Sequence, residues 1–299
     1  MIHLMNLTLA LTIPITLGAL CGTISERGGI IMLGVEGMML MGAFSAVLGS
    51  YVTGSAIIGV LFAMLVGGLL GFLYCLFCLK FKAHQSVIGV GLNLFASGIT
   101  KVLLKAIWGQ EGMSTFVDTI GKANLPLLKS IPVIGPIFFD QSPFLYLTLV
   151  IVAAVWFVFY RSKFGLRYRA IGDHPLAVRT VGVDVNRYRY VALTIAGMLA
   201  ALGGSFLSVC YNNLFVADMV SGRGFMALAA SIFGGWTPLG CLLASLVFAF
   251  AQALSYSMSD LSIPIYFIQM VPYVTTLLIL MVTGRRVRGP EALGKLIEQ

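Results

Sequence analysis

The chain has 299 residues, of which 59% are hydrophobic and only 10% are charged. Soluble domains carry about 25% charged residues, so this composition excludes a soluble globular protein and indicates an integral membrane protein. The formal net charge is +8. Because the cations cluster at the ends of apolar runs, as the positive-inside rule expects, the charge argues against nucleic-acid binding.

Long, continuous apolar runs follow one another along the chain, which is typical of membrane-spanning helices and not of a β-barrel. The first six runs cover residues 5–24, 30–52, 56–79, 86–107, 143–160 and 190–211. The next region, 222–256, is too long for one span of about 20 residues. A break at 234–238 divides it into a short segment, a turn and a span, and a last run covers 263–283. No cation precedes the first run, so we expect a retained span and not a cleaved signal peptide.

The cations predict the topology. Loop 161–189 contains seven of the nineteen Lys and Arg residues, and 285–288 holds another cluster. Placing both in the cytoplasm predicts about nine crossings (eight or ten as alternatives), an outer N-terminus, a cytoplasmic C-terminus and an outer segment 108–142. The alternative for 222–233 is a re-entrant segment. We expect one all-α, multi-pass domain over 1–299.

Polar residues inside the apolar runs are the first candidates for a transport path. Glu36 lies about a third of the way into the second run, where an ionisable group faces a wet cavity or the bundle interior. It could instead be a structural carboxyl that hydrogen-bonds a neighbouring helix or turn. Asn93 and Ser97 are the other path candidates, although Asn93 could equally staple two helices. Lys101 and Lys105, near the end of the fourth run, are expected to extend outward.

The middle of loop 161–189 carries helix start and stop signals. Asp173 is a candidate N-cap, Pro175 falls in the first turn, and Gly182 is a plausible C′ residue. The apolar side chains of this short helix are Leu176, Ala177, Val178 and Val181. Such a helix could lie on lipid headgroups or insert into a groove on a soluble partner, and composition leaves both open.

The sequence provides no clear catalytic or metal site. The histidines, His3, His84 and His174, are widely separated, and Cys75 and Cys78 have no second ligand pair, so we interpret these cysteines as packing residues. The phosphate-binding motif G-x-x-x-x-G-K-[ST] does not occur, so the chain is not expected to bind ATP in that way. We therefore expect a transport protein and not an enzyme.

Three blocks resemble the membrane permeases of bacterial ABC importers, in the branch of branched-chain amino acid, simple-sugar and nucleoside permeases. They are SERGGIIMLGVEGMML at 25–40, FGLRYRAIGDHPLAVRTVG at 164–182 and GRGFMALAASIFGGWTPLG at 222–240. The first block is most similar to the nucleoside-type permeases. The resemblance implies a type II ABC importer-like fold in the bacterial inner membrane.

The resemblance also implies partners. These would be a second permease in a heterodimer, two cytoplasmic ABC ATPase sites that use ATP and Mg²⁺, and an external solute-binding protein or lipoprotein. The coupling residues implied by the resemblance are Gly172, Asp173, His174, Pro175, Leu176, Ala177, Val178 and Gly182. A nucleoside is the expected solute, with simple sugars or riboflavin as alternatives. An ion-coupled secondary transporter is the rival class, but it would need coupling acids at mid-depth and matching halves.

Overall fold

The computed structural model describes residues 2–121, 141–257, 274 and 289–294, and these residues are mostly helical. The helices are α1 (Ile2–Arg27), α2 (Val35–Thr53), α3 (Ala56–Leu79), α4 (Gln85–Trp108), α5 (Pro143–Arg161), α6 (Lys163–Asp173), α7 (Pro175–Thr180), α8 (Val185–Ser205, continued by a π-helix, Phe206–Tyr211), α9 (Arg223–Phe233) and α10 (Pro238–Ser257). Within the described ranges, seven helices are long and apolar enough to span a membrane. The all-α membrane fold is therefore confirmed, whereas the predicted last run, 263–283, apart from residue 274, and the cations at 285–288 lie outside the described residues.

Two helix boundaries differ from those predicted by hydropathy. The first helix continues through the polar residues to Arg27, because Glu26 and Arg27 find hydrogen-bond partners in the turn around Trp236. The second helix begins only at Val35, since residues 28–34 form an irregular connection beside the start of α4. Apolar character extends through this connection, which is why the run looked longer than its helix.

Small residues bring α2, α3 and α8 into close contact, as their spacing predicts for helices that pack in lipid. A Cβ on Gly197 of α8 would lie 3.0 Å from the Cα of Gly71 and would collide with the carbonyl oxygen of Gly67, both on α3. Gly204 likewise abuts the carbonyl of Met39 on α2. These helices form the main buried core, and their backbone distances leave no space for larger side chains.

The bundle has two ends, and several segments of the chain meet at each of them. The end of α1, the loop 161–184, the α9–α10 turn and residues 289–294 are joined by hydrogen bonds, and we call this the basic end. At the opposite end, residues 112–117 pair with 213–217 through backbone hydrogen bonds such as Ser114 N to Phe215 O, 2.9 Å. Charged and irregular segments therefore gather at the two ends, with apolar helices between them.

The region after α8 crosses between these ends by a broken path. The π-helix ends at Tyr211 at the opposite end, residues 212–222 are irregular, and α9 then reaches the basic end. With 11 residues, α9 is about 16 Å long, so it cannot alone cover a hydrocarbon core of about 30 Å. The turn predicted at 234–238 is present, and α10 begins at Pro238 after it.

Candidate functional site

The start of α9 is held by a carboxylate from another helix. Glu36 Oε1 accepts a hydrogen bond from Gly222 N, and Glu36 Oε2 accepts one from Gly224 N, both at 2.7 Å. A helix N-terminus has unpaired N–H groups and a positive dipole end, so a carboxylate is a favourable partner there. A Cβ on Gly224 would approach the Cα of Glu36 to 2.6 Å, which explains the small residue at this contact. Glu36 therefore caps the N-terminus of α9. We call α9 the broken helix, because the irregular segment 212–222 separates it from the end of the π-helix.

Arg223, which the sequence analysis did not single out, performs the complementary task. Its side chain is buried, and Nη1 donates to the carbonyl oxygens of Met219 (2.9 Å) and Val220 (3.2 Å). Nη2 donates to the hydroxyl of Tyr256 at 2.9 Å. Irregular backbone at membrane depth persists only where protein or a cavity satisfies its polar groups. Glu36 and Arg223 satisfy the N–H and C=O groups that the break in the helix releases.

Asn93 fastens α4 to the start of α2. Its Oδ1 accepts from Gly37 N at 2.8 Å, and its Nδ2 donates to the carbonyl oxygen of Leu33 at 3.0 Å. Both ends of the amide are therefore engaged by backbone next to Glu36. This arrangement agrees with the helix-stapling interpretation of Asn93, and it brings Asn93 next to the residue that follows Glu36.

Ser97 belongs to a second polar cluster on the C-terminal half of α4. Ser97 Oγ donates to Asp218 Oδ1 at 2.7 Å, and Lys101 Nζ lies 2.6 Å from Asp218 Oδ2. Lys101 was expected to extend outward, and in the structure its ammonium group pairs with Asp218 on the irregular segment 212–222.

Asp218 was missed by the sequence analysis because nothing in the local sequence connects it to α4, more than a hundred residues earlier. One signal was present: an acid and a serine occur in a short stretch between two apolar regions. Asp218 and Ser221 both have left-handed backbone, with φ of 56° and 51°. Such conformations are uncommon in residues other than glycine, and they concentrate at functional sites, where the surrounding structure stabilises them.

Loop 161–189, which we call the basic loop, contains two helices where one was predicted. Residues Lys163–Asp173 form α6, and Asp173 is its last residue, so the prediction that Asp173 caps the next helix is wrong. His174 occupies the N-cap position of α7, Pro175 is its first residue, and Gly182 follows the C-cap with φ of 78°. The predicted start at Asp173 is wrong because another helix already occupies this residue. The Ser162 side chain accepts a hydrogen bond from Gly165 N at 3.0 Å and caps α6, which continues without a break to Asp173.

The coupling candidates divide into exposed and buried residues. Leu176 and Val181 are 65% and 75% exposed, whereas Val178 is 8% exposed and packs with Ile171 and Val185. The idea that Val178 faces a partner together with Leu176 is therefore wrong, since Val178 anchors α7 to its own loop. Gly172 is also buried. The exposed candidates are Asp173, His174, Leu176, Ala177 and Gly182, and Pro175 is half-buried.

Buried hydrogen bonds tie the loop to the C-terminal end of α1. The hydroxyl of Tyr168 donates to the carbonyl oxygen of Ile24 at 2.6 Å, and Arg189 Nε, on the fully buried Arg189 side chain, donates to Gly28 O at 2.9 Å. The peptide N–H of Ala292 donates to Gly172 O at 3.0 Å. Because these donors have no access to water, breaking the contact would leave them unpaired, which makes the connection stiff.

The same end of α1 also contacts the turn that follows α9. Arg27 Nε donates to Trp236 O at 3.0 Å, and its Nη2 donates to Gly235 O at 3.3 Å. In the reverse direction, the indole Nε1 of Trp236 donates to a carboxylate oxygen of Glu26. Helix α1 therefore connects the basic loop to the broken helix, and α9 leads from that turn to Glu36. Neither a role for Glu26 nor this connection was predicted from the sequence.

The comparisons with known proteins fit this architecture. Residues 4–282 match the family described as branched-chain amino acid transport system / permease component. The guanosine ABC transporter permease protein NupQ of Bacillus subtilis is 36% identical over 298 residues, which is 96% of this chain and 93% of that protein. The nucleoside ABC transporter permease protein NupC of Lactococcus lactis is 35% identical, covering 94% of this chain and 92% of NupC.

A second permease from one of the same organisms is more distantly similar. The guanosine ABC transporter permease protein NupP of Bacillus subtilis is 26% identical over 240 residues, 78% of this chain and 68% of NupP. The family match spans more than nine-tenths of the sequence, and two relatives exceed one-third identity over nearly the full length of both chains. The chain therefore belongs to the branched-chain amino acid transport system / permease component family, as a multi-pass membrane permease.

Proposed function

We propose that this chain is a permease subunit of an ATP-driven importer that carries nucleosides across the bacterial cytoplasmic membrane. The observation that carries the proposal is the 36% identity, over 96% of the chain, to a permease named for guanosine. The described spans contain few charged side chains, which suits a neutral, hydrogen-bonding solute such as a nucleoside.

Its partners follow from the same relationship. NupQ and NupP of Bacillus subtilis are both named as guanosine ABC transporter permeases, and this chain is similar to each at different identities. This supports pairing with a second, different permease. Two cytoplasmic ATPase sites would use ATP and Mg²⁺, and an external binding protein or lipoprotein would deliver the solute. The positive-inside rule places the basic end, with loop 161–189 and the C-terminus, in the cytoplasm.

The geometry supports a route for coupling. Exposed residues of α7, notably Leu176 and Ala177, would contact the ATPase. Movement of the loop would reach the end of α1 through Tyr168 and Gly172, and the α9–α10 turn through Trp236. Helix α9 would then carry it to the segment beside Glu36. Packed elements transmit motion in this way because close-packed interfaces rearrange as units and do not deform continuously.

Uptake measurements test the proposal. Deleting the gene in its host should abolish most uptake of radiolabelled guanosine and uridine at micromolar concentration, and the intact gene should restore it. Uptake of labelled glucose, ribose and riboflavin should stay at the wild-type level. Loss of riboflavin or sugar uptake, with nucleoside uptake intact, would reassign the solute to the alternative classes.

A second arm separates an ATP-driven importer from an ion-coupled transporter. Replacing the P-loop lysine of the partner ATPase should abolish nucleoside uptake through this chain, because that lysine contacts the ATP phosphates. Dissipating the membrane potential while cellular ATP is maintained should leave uptake largely unchanged. The opposite pair of results would identify secondary transport and reject the proposal.

A further inference from the structure

The cluster of Ser97, Lys101 and Asp218 has features of a ligand site that its role in packing does not require. It lies between α4 and the irregular segment 212–222, which leads directly into the broken helix α9. Discontinuous helices in transporters sit beside the substrate path, and non-helical backbone at membrane depth lines a cavity or is buried in protein. Asp218 belongs to that irregular segment, and it is on the exposed side.

The carboxylate is fixed in position but not saturated. From the part of the chain that the structure describes, each oxygen accepts one hydrogen bond, from Ser97 Oγ at 2.7 Å and from Lys101 Nζ at 2.6 Å, whereas an ionised carboxylate offers about four acceptor positions. The side chains of Asp218 and Lys101 are 53% and 51% exposed on this chain. Ser221 donates to the carbonyl oxygen of Asp218 from both its backbone N and its hydroxyl, at 3.1 Å each, so the backbone is held as well.

We propose that Asp218, positioned by Ser97 and Lys101, binds the vicinal hydroxyl groups of a furanose ring as the solute passes. A carboxylate accepts hydrogen bonds from two neighbouring hydroxyls, and an adjacent ammonium donates to a hydroxyl oxygen, so the pair matches a diol in both respects. Carboxylates recognise the ribose hydroxyl of nucleotides in the same way on an unrelated fold. The inference rests on the proposed nucleoside transport, and a free pentose would present the same chemistry.

The test compares solutes that differ only in these hydroxyls. In cells that carry the complete importer, uptake of guanosine is measured against uptake of 2′,3′-dideoxyguanosine for the wild-type chain and for Asp218→Asn. Both chains are loaded by the same binding protein, so its own selectivity cancels in the comparison. We expect the ratio of guanosine to dideoxyguanosine uptake to fall about tenfold in Asp218→Asn, because one charge-assisted hydrogen bond is lost.

Two further variants make the result interpretable. Glu111→Gln removes an exposed ion pair with Lys105, one turn further along α4, and should leave the ratio unchanged. Ser97→Ala removes one of the donors that orient the carboxylate and should lower the ratio about threefold, in the range expected for a neutral hydrogen bond. Ser97→Ala carries the test if immunoblotting finds no Asp218→Asn chain in the membrane.

The outcomes separate this inference from the proposed function. If the wild-type importer takes up no nucleoside, the proposed function fails, and ribose against 2-deoxyribose then tests Asp218 with the free sugar. If nucleosides are imported but the ratio is the same in Asp218→Asn, Ser97→Ala and wild type, Asp218 does not bind the diol and the inference is overturned.

Discussion

Two charged side chains in the described spanning part of this chain, Glu36 and Arg223, lie where helix geometry breaks. Glu36 accepts from the N–H groups of Gly222 and Gly224, and Arg223 donates to the carbonyl oxygens of the preceding residues. An unpaired polar group in hydrocarbon costs several kcal/mol, so the break in the crossing requires both residues. This explains why an acid is tolerated near the start of α2, and it removes the need for a direct contact between Glu36 and the solute.

Replacing Glu36 with glutamine tests the capping role. The amide retains one acceptor, but its NH₂ group would face the second N–H donor, which leaves a buried donor unpaired at a cost of about 1–3 kcal/mol. We expect Glu36→Gln to lower the midpoint of heat-induced aggregation of the purified importer by several degrees, measured by the soluble fraction after heating.

The matched control is Glu111→Gln, the same chemical change at an exposed ion pair, which should leave that midpoint unchanged because surface ion pairs contribute little. A Glu36→Gln importer as heat-resistant as wild type would show that the cap is dispensable. Reduced uptake with normal heat resistance would instead return Glu36 to the transport path.

The polar residues that lie inside apolar runs could be identified from the sequence, whereas the charged residues outside those runs could not be identified as contact residues. Glu36, Asn93 and Ser97 were noticeable because polar residues in apolar runs are rare and expensive. Arg223 and Asp218 were not selected, since one borders a glycine-rich turn and the other lies between runs, where charge is expected. Asp218 lies more than a hundred residues from Ser97 and Lys101, and Arg223 donates to Tyr256, 33 residues later. Hydropathy holds no information on such pairings.

At the scale of helices, α8 packs against α1, α2 and α3. Its glycine and alanine face was predicted from spacing, and it contacts both α2 and α3. Gly197 illustrates how little room there is, because a Cβ there would meet the backbone of Gly67 and Gly71. Backbone atoms cannot move aside as the end of a flexible side chain can, so substitution must shift an entire helix.

The change Gly197→Ala should therefore destabilise the protein, by about 1–3 kcal/mol as expected for overpacking. The control is Gly91→Ala on α4, where an added Cβ meets nothing within 4 Å and alanine is the better helix former. Heat-induced aggregation of the two purified importers should show a lower midpoint for the first and an equal or higher midpoint for the second. Equal behaviour of the two variants would contradict the packing described for α3 and α8.

The turn between α9 and α10 is joined to the end of α1 by hydrogen bonds. Trp236→Phe keeps an aromatic ring in the turn but removes the N–H that pairs with the buried Glu26 carboxylate. We expect ATP hydrolysis by the reconstituted importer to persist while solute uptake per ATP falls several-fold, because the link from α1 to α9 is loosened. Trp156→Phe, on an exposed face of α5, serves as the control and should leave that ratio unchanged. An unchanged ratio in Trp236→Phe would exclude this route of coupling.

For the whole molecule, hydropathy was sufficient to predict a helical bundle but not the path of the chain between residues 211 and 222. Periodicity and length located most spans within a few residues, and α3 was predicted to the residue. Residues 212–222 were not recognised as part of a crossing because irregular backbone leaves no periodic signal. The helix α6 was missed for a different reason, since its charged, amphipathic sequence resembles a loop unless its Ser162 cap is recognised.

The assembly of the whole importer depends on whether α7 docks on a partner or lies on lipid, which composition left open. Leu176 on α7 and Leu166 on α6 are 65% and 64% exposed, so they form a matched pair. If α7 inserts into a groove of the ATPase, Leu176→Ala loses an apolar contact worth about 1.5–3 kcal/mol when fully buried, and ATPase affinity falls about tenfold or more. Leu166→Ala should then have little effect.

The measurement is co-purification of the ATPase with the tagged permease pair over a range of ATPase concentrations, together with solute uptake. Val178→Ala serves as a third variant, because Val178 packs inside the loop and its truncation should reduce heat resistance as well as ATPase binding. A lipid-lying α7 predicts a different pattern, in which Leu176→Ala and Leu166→Ala both retain the ATPase. That pattern would contradict docking of α7 on the ATPase, because the exposed apolar side chain of α7 would then face the membrane surface.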